Sequence, residues 1–149
     1  MIRDGKAGDL PDMAGILAAW VAAMAWMPKL HSPAEDLWFV GELVRLSTVR
    51  VAAGKAAGEP RCAVLGFLSR QGAEVDALYL TPQARRQGLG RALIADAMAT
   101  EPVLRLWTFQ ANATARAFYA ALGFVEIGRT DDDNDEGLPD VRLEWRRDV

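Results

Sequence analysis

Apolar residues recur along this chain at two spacings, one typical of helices and one typical of strands. From Asp9 to Trp26 they return every three or four positions, which predicts a helix with one buried face. The aspartate suits a helix cap, and Pro11 suits a first turn. Ser32-Pro33-Ala34-Glu35 matches a capping box and predicts a second helix. The apolar face of that second helix is predicted to comprise Leu37, Val40 and Val44.

Shorter apolar runs bounded by turn residues predict strands. A short strand is predicted at Ile2 and Arg3, and longer ones at residues 49–52, 62–68, 73–80, 103–109, 124–127 and 141–145. Further helices are predicted to begin after Pro82 and at Asn112, and Gly123 is expected to end the last of them. This order, β-α-α-β-β-β-α-β-α-β-β, predicts an α/β (α+β type) fold with a mixed, twisted sheet of six to seven strands flanked by four helices.

Composition narrows the class of protein. The 149 residues fit one domain, 1–149, and the net charge of −3 gives no sign of a nucleic-acid partner. Cys62 is the sole cysteine, which favours a cytoplasmic location, and its apolar context predicts a buried side chain. The apolar run at 14–27 follows acidic residues and is too short to span a bilayer, which argues against a signal peptide or membrane anchor. One histidine and one cysteine cannot build a typical zinc site, so no metal is expected.

One stretch, residues 77–94, combines a strand, a turn and the start of a helix. Gly88 and Gly90 lie at the helix start, where unpaired backbone N–H groups and the helix dipole attract an anion. Arg85, Arg86 and Arg91 add positive charge to the same place. The stretch predicts a phosphate or pyrophosphate site, and the competing interpretation is ordinary turn chemistry with solvated arginines. It contains no Gly-Lys-Ser/Thr and therefore does not match a P-loop.

Two motifs make the chain resemble a known superfamily. The first is Arg85-Arg86-Gln87-Gly88-Leu89-Gly90, and the second is Asn112-x-x-Ala115-x-x-Phe118-Tyr119-x-x-x-Gly123-Phe124. In this order, and across nearly the whole chain, they resemble the GNAT superfamily of acyl-CoA-dependent N-acyltransferases. The resemblance implies an N-acetyltransferase with acetyl-CoA as cosubstrate. Such an enzyme moves an acetyl group to a primary amine of a small molecule or peptide by direct attack.

The resemblance also implies a coenzyme site. Backbone N–H groups of residues 87–91 would hold the pyrophosphate, and residues 78–80 would line the pantetheine arm beside a diverging strand at 103–109. Tyr119 would protonate or hydrogen-bond the leaving thiolate, although the same tyrosine also suits an apolar core. The residues expected to contact the coenzyme are Leu78, Tyr79, Leu80, Arg85, Arg86, Gln87, Gly88, Leu89, Gly90, Arg91, Asn112 and Tyr119.

A catalytic base must deprotonate the amine, because alkylamines are mostly protonated at neutral pH. Glu74 and Asp76 are the candidates, since strand alternation places both on one face of the strand at 73–80. Mutual repulsion is expected to raise the pKa of at least one of them. The resemblance points to Glu74, whereas Asp76 lies closer to the expected thioester. Both therefore stay open, acting directly or through a water, as does the plainer interpretation that they face solvent.

The acceptor side is the least specified part of the chain. His31 lies in the connection between the first two helices, and Trp26 and Trp107 are aromatic candidates for lining an acceptor pocket. The acidic run at 131–136 predicts a solvated loop, or alternatively a surface that attracts a cationic amine. The expected partner is an amine acceptor rather than nucleic acid or membrane, and the resemblance allows a homodimer. The competing functions are a non-catalytic acyl-CoA-binding sensor or regulatory module and a nucleotide-binding protein.

Overall fold

The computed structural model describes residues 1–24, 32–55, 62–84, 87–131 and 137–148. The helices are α1 (Leu10–Ala23), α2 (Pro33–Leu46), α3 (Leu89–Thr100) and α4 (Ala113–Ala121). The strands are β1 (Ile2–Asp4), β2 (Thr48–Gly54), β3 (Ala63–Gln71), β4 (Glu74–Leu80), β5 (Val103–Phe109), β6 (Val125–Thr130) and β7 (Asp140–Arg146). Their order confirms the predicted fold class, and two short 3-10 turns, Ala7–Asp9 and Pro82–Ala84, are added to it.

The seven strands form one mixed sheet in the order β1-β2-β3-β4-β5-β7-β6. Neighbouring strands run antiparallel except β4 and β5, which are parallel because α3 connects them as a crossover. Apolar clusters cover both faces of the sheet. Met13 of α1 and Val40 of α2 pack with Phe67 on one face, called here the α1/α2 face. Leu93 of α3 and Tyr119 of α4 pack on the other, the α3/α4 face.

The first two of the helix starts that were predicted from capping residues differ in outcome. Ser32 Oγ accepts a hydrogen bond from the Glu35 N–H at 3.2 Å, and a Glu35 carboxylate oxygen accepts one from the Ser32 N–H at 3.1 Å, which confirms the capping box. Asp9 precedes α1, but its side chain makes no capping bond to that helix. Its carboxylate instead accepts from the Lys6 N–H and pairs with Arg3, because a 3-10 turn intervenes.

Two predictions of burial were wrong. Leu37 is exposed, and the buried positions of α2 are Asp36, Val40 and Leu43. Several apolar residues follow one another at the start of this helix, so the spacing alone did not select the face that packs on the sheet. Cys62 is exposed, because it lies just before β3 begins rather than inside the strand.

Gly66 of β3 marks both a bulge and a close approach of two strands. The pairing of β2 with β3 shifts beside it, between Ala52 and Ala53. A Cβ atom at Gly66 would contact the Leu80 side chain and would lie 3.0 Å from the Tyr79 carbonyl oxygen. Only a residue without a side chain therefore fits where β3 passes the end of β4.

Gly66→Ala is expected to lower the free energy of unfolding by about 1–3 kcal/mol, because the added methyl group presses on the β4 backbone. Gly15→Ala is the matched control, since Gly15 lies on the exposed side of α1 and an added Cβ there meets nothing within 4 Å. That control should raise stability by about 1 kcal/mol through helix propensity. Urea unfolding followed by tryptophan fluorescence measures both, and the same sign for the two variants would contradict the close packing at Gly66.

Candidate active site

A cleft opens between β4 and β5 because these strands pair at only two positions. Glu74 lies opposite Arg105 and Val75 opposite Leu106, and beyond them the strands diverge, which confirms the predicted separation. The cleft has a volume of about 1020 Å³ and extends along residues 75–80 and 106–109 to the start of α3 and to α4. Beyond Val75, the edge of β4 therefore has no strand partner on this side within the described residues.

Asp76 is the extra residue of a bulge in β4. Ser69 of β3 pairs with Ala77 and Arg70 pairs with Val75, so Asp76 has no partner position on β3. Val75 packs on the α3/α4 face, whereas Ala77, only two residues later, packs on the α1/α2 face. A regular strand would keep these two residues on one face, so the bulge reverses the alternation. It also places Asp76 in the wall of the cleft at the point where β4 and β5 separate.

The environment of Asp76 raises the pKa of its carboxyl group above that of an ordinary aspartate. Partial desolvation raises the pKa of this carboxyl group, and repulsion from Glu74 raises it further, while a hydrogen bond with Ser47 acts in the opposite direction. The direction agrees with the repulsion expected from two carboxylates on one strand. Asp76 forms no ion pair with a residue of the described ranges. A carboxylate with a raised pKa beside a cleft has the properties of a proton acceptor.

Glu74 lies in a different environment, although it is only two residues away. Both of its carboxylate oxygens accept hydrogen bonds from Arg142 of β7, one of them at 2.9 Å. The same guanidinium group lies over the indole ring of Trp107, 5.3 Å from the ring centre. This ion pair was not predicted, since Arg142 is 68 residues further along the chain. Because its oxygens are engaged, Glu74 is less available than Asp76 to accept a proton.

The start of α3 has the geometry of an anion site. Gly88 is the N-cap residue, with a left-handed φ of 78° that glycine adopts without strain. The N–H groups of the first helical turn have no acceptor within the helix, and the helix dipole is positive there. At Gly90, a Cβ would lie 3.3 Å from Phe118 and 3.4 Å from Leu80, so glycine lets α3 pack closely on β4 and α4.

The arginines predicted at the anion site are described only in part. Arg91 is exposed on the first turn of α3 and lines the cleft. The Gln87 side chain donates to the Gln83 carbonyl oxygen at 3.0 Å, which ties the turn to the residues before it. Arg85 and Arg86 lie outside the described residues.

Helix α4 supplies the second wall of the cleft. Asn112 Oδ1 accepts a hydrogen bond from the Ala115 N–H at 3.1 Å, which confirms its role as N-cap, and Asn112 also lines the cleft. Tyr119 is 7% exposed and packs edge-on against Phe118 and Phe124. Burial and, to a smaller extent, the nearby Tyr79 raise the pKa of Tyr119, so its hydroxyl keeps its proton at neutral pH. The tyrosine thus belongs to the core and to the cleft wall at once.

Comparison with known proteins identifies the family. A family model described as an acetyltransferase (GNAT) domain matches residues 45–126, which is more than half of the chain. The chain belongs to the GNAT acetyltransferase family. The peptidyl-lysine N-acetyltransferase YjaB of Salmonella typhimurium is 36% identical over 75 residues, so the matched part spans about half of each protein. The peptidyl-lysine N-acetyltransferase YiaC of Escherichia coli is 28% identical over 147 residues, which are 97% of this chain and 96% of that protein.

Solved structures agree with the GNAT fold. The solution structure of apo-form YjaB from Escherichia coli has a TM-score of 0.79 at 24% identity, covering 99% of this chain and 98% of that one. The structure of yncA from Salmonella typhimurium, which was solved with its cofactor acetyl-CoA, has a TM-score of 0.71 at 18% identity. That match covers 100% of this chain and 94% of the other. At these identities the likeness concerns the fold alone.

The acceptor side of this GNAT protein is only partly described. Trp107 lines the cleft, together with Trp20 and Met24 of the end of α1, and Trp20 packs edge-on against Tyr79 at 5.2 Å. Met24 was not predicted for the site, because a methionine at helical spacing is indistinguishable from a core residue. The predicted acceptor residues Trp26 and His31 lie outside the described residues, as does most of the acidic run, residues 132–136.

Among the described residues, no helix is both long and apolar enough to cross a bilayer. Likewise, no group of three or more histidine, cysteine, aspartate or glutamate side chains in these ranges is arranged to hold a metal ion.

Proposed function

We propose that this GNAT protein is an N-acetyltransferase that moves an acetyl group from acetyl-CoA to a primary amine by direct attack. The observation that carries the proposal is the pairing of β4 and β5 at only two positions. This separation leaves an edge of β4 that β5 does not cover and that faces a cleft, which suits an extended, amide-containing arm. The anion site at α3 lies at one end of the cleft and Asp76 in its wall.

The residues present fit the coenzyme. The first-turn N–H groups of α3, with Arg91 beside them, suit the pyrophosphate, and the β4 edge at 78–80 suits the two amides of the pantetheine arm. Coenzyme A brings the acetyl group as an activated thioester. Asn112 and Tyr119 complete the opposite wall. The cleft volume of about 1020 Å³ is at the upper end of what small-molecule sites need.

We assign the two proton transfers to Asp76 and Tyr119. Asp76 accepts the proton that the amine releases, directly or through a water, since its carboxylate lies in the cleft wall and has a raised pKa. Tyr119 stays protonated at neutral pH and therefore has a proton to donate or share with the departing sulfur. Glu74 is assigned no proton transfer, because Arg142 engages both of its oxygens.

For the acceptor we propose the side-chain amine of a peptide lysine. Two relatives of this chain are named peptidyl-lysine N-acetyltransferases. The end of the cleft where β4 and β5 begin to separate supports the proposal, because an exposed indole, Trp107, and an exposed carboxylate, Asp76, both line the cleft there. We place the reaction in the cytoplasm, because that compartment suits both the use of acetyl-CoA and a cysteine, Cys62, that stays reduced.

A thiol-release assay with acetyl-CoA tests the proposal. The purified protein is offered a peptide with one lysine and a blocked N-terminus, free polyamines, and a peptide whose only amine is its N-terminus. Lysine-dependent release of coenzyme A, with a mass increase of one acetyl group on the peptide, is the expected result. Calorimetry with acetyl-CoA and with ATP runs beside it. Binding of acetyl-CoA without transfer to any amine would instead favour a sensor of the coenzyme, and binding of ATP alone would reject both.

A further inference from the structure

Trp107 lies in the cleft wall at the point where β5 separates from β4. Leu106 is buried on the α3/α4 face, so the next residue of β5 points to the α1/α2 face. Trp107 is the first residue of β5 beyond the last pair with β4, and Asp76 is the corresponding residue of β4. Trp107 is 47% exposed, and both Trp107 and Asp76 line the cleft.

Arg142 holds this indole from the neighbouring strand. It lies directly opposite Trp107 in the β5–β7 ladder, and its guanidinium carbon is 5.3 Å from the ring centre. The same guanidinium group also donates hydrogen bonds to both carboxylate oxygens of Glu74 at the start of β4, which fixes its position. The Arg142 side chain is only 17% exposed. A planar group held between an ion pair and a ring restricts the rotation of that ring.

The charges in this cluster determine what can approach Trp107. An unpaired guanidinium beside the ring would repel a cationic amine. Glu74 cancels that charge, and Asp76, which forms no ion pair with a described residue, contributes a carboxylate to the same cleft wall. The cleft wall at the point where the two strands separate therefore offers an aromatic ring and one carboxylate. It matches an ammonium group carried on an unbranched alkyl stem, and it disfavours an amine that has its own carboxylate nearby.

We propose that Arg142 is a positioning residue for the acceptor: it orients Trp107 beside Asp76, and Glu74 cancels its charge so that an alkylammonium can enter. The inference rests on the proposed acetyl transfer and deepens it by naming the acceptor chemistry. It also gives Glu74 a role other than proton transfer. Arg142 itself does not line the cleft and acts through Trp107.

The test is a charge cycle between Glu74 and Arg142. Glu74→Gln leaves the guanidinium unpaired and should raise the KM for the blocked single-lysine peptide about tenfold at low salt, with kcat within about twofold of wild type. Addition of 0.5 M salt should shrink the effect by screening. The double variant Glu74→Gln/Arg142→Met removes both charges and should bring the KM back to within about threefold of wild type. The KM for acetyl-CoA should stay constant throughout.

Matched controls separate this role from general damage to the sheet. Arg129 of β6 pairs with Glu126 on an exposed part of the sheet away from the cleft, so Arg129→Met should leave the peptide KM unchanged. Trp107→Ala should raise that KM, whereas Trp38→Ala on α2, where the indole is 68% exposed outside the cleft, should not.

Two outcomes would overturn the inference. If Glu74→Gln lowers kcat and the double variant does not recover, Glu74 is the proton acceptor instead. If the peptide KM is the same in all variants, the cluster does not select the acceptor. Calorimetric binding of the peptide to the protein saturated with coenzyme A gives the same comparison without turnover. Charge-dependent binding in a protein that transfers no acetyl group would uphold this inference while rejecting the proposed function.

Discussion

Asp76→Asn is expected to lower kcat by about 10²- to 10⁴-fold, because the amide cannot accept the proton released by the amine. In the wild-type enzyme, kcat/KM should fall as the pH drops through the raised pKa of Asp76, since the protonated carboxyl has no place for a second proton. In the variant this acid limb should disappear. Its residual rate should instead climb toward high pH, where the alkylamine with a pKa of about 10.4 loses its proton unaided. Steady-state kinetics at saturating acetyl-CoA, from acidic pH up to about pH 10, measures both.

The stability of Asp76→Asn distinguishes a lost base from a damaged fold. A pKa raised by folding means that the native state binds more protons than the unfolded chain. The contribution of Asp76 to the free energy of unfolding is complete below the pKa that this group has in the unfolded chain. It is lost as the pH rises through the pKa that the group has in the folded protein. Asparagine carries no charge, so the variant should be at least as stable as wild type at pH 7. Asp96→Asn, which breaks an ion pair with Arg50 away from the cleft, should show the reverse: lower stability with unchanged kcat. Full activity of Asp76→Asn at neutral pH would remove this residue from the mechanism.

Tyr119→Phe is expected to lower kcat by about 10²-fold with little change in the affinity for acetyl-CoA, because only the proton donor to the sulfur is lost. The ring remains and keeps its edge-on contacts with Phe118 and Phe124, so the fold should survive. An acceptor-independent readout follows from leaving-group chemistry: an acyl donor with a thiol of lower pKa needs less protonation and should lose less activity. Stopped-flow kinetics with two thioesters whose thiols differ in pKa measures how much of the transfer rate Tyr119→Phe loses with each.

The tyrosine content of the chain provides a direct check on Tyr119. There are two tyrosines, Tyr79 and Tyr119, so a tyrosinate absorbance titration of the folded protein has two components. Burial raises the pKa of Tyr119, so its component should be absent throughout the pH range in which the enzyme works. Tyr119→Phe should therefore leave the absorbance titration unchanged within that pH range. A phenol that ionises near neutral pH in wild type and vanishes in the variant would show that Tyr119 is not the proton donor described here.

Local signals in the sequence were sufficient to predict the backbone geometry at the starts of α3 and α4. Gly88 and Gly90 were predicted at a strand-to-helix turn, and they lie there because left-handed backbone and close helix packing both require glycine. Asn112 was predicted as a cap and accepts the predicted backbone hydrogen bond. These features depend on residues only a few positions apart, so the spacing of residues along the chain is enough to predict them.

The difference between the carboxylates of Glu74 and Asp76 could not be predicted from local spacing. Strand alternation made Glu74 and Asp76 equivalent, and only the register with β3 revealed the bulge that places Asp76 in the cleft wall. Only the register with β7 brought Arg142 onto Glu74 and Trp107. A bulge depends on how one strand pairs with another, and the pairing of β5 with β7 joins residues about 35 positions apart. No local pattern encodes either one.

By itself, the sequence determined the order of the helices and strands, the mixed sheet and the glycine turn at the start of α3, because periodicity, caps and glycine turns act over a few residues. It also determined which residues were candidates for the chemistry. The tertiary structure decided how those candidates differ. It paired Glu74 with Arg142, raised the pKa of Asp76 and opened β4 from β5 after two pairs. Each of these depends on strand register and burial, which arise only when distant segments pack against one another.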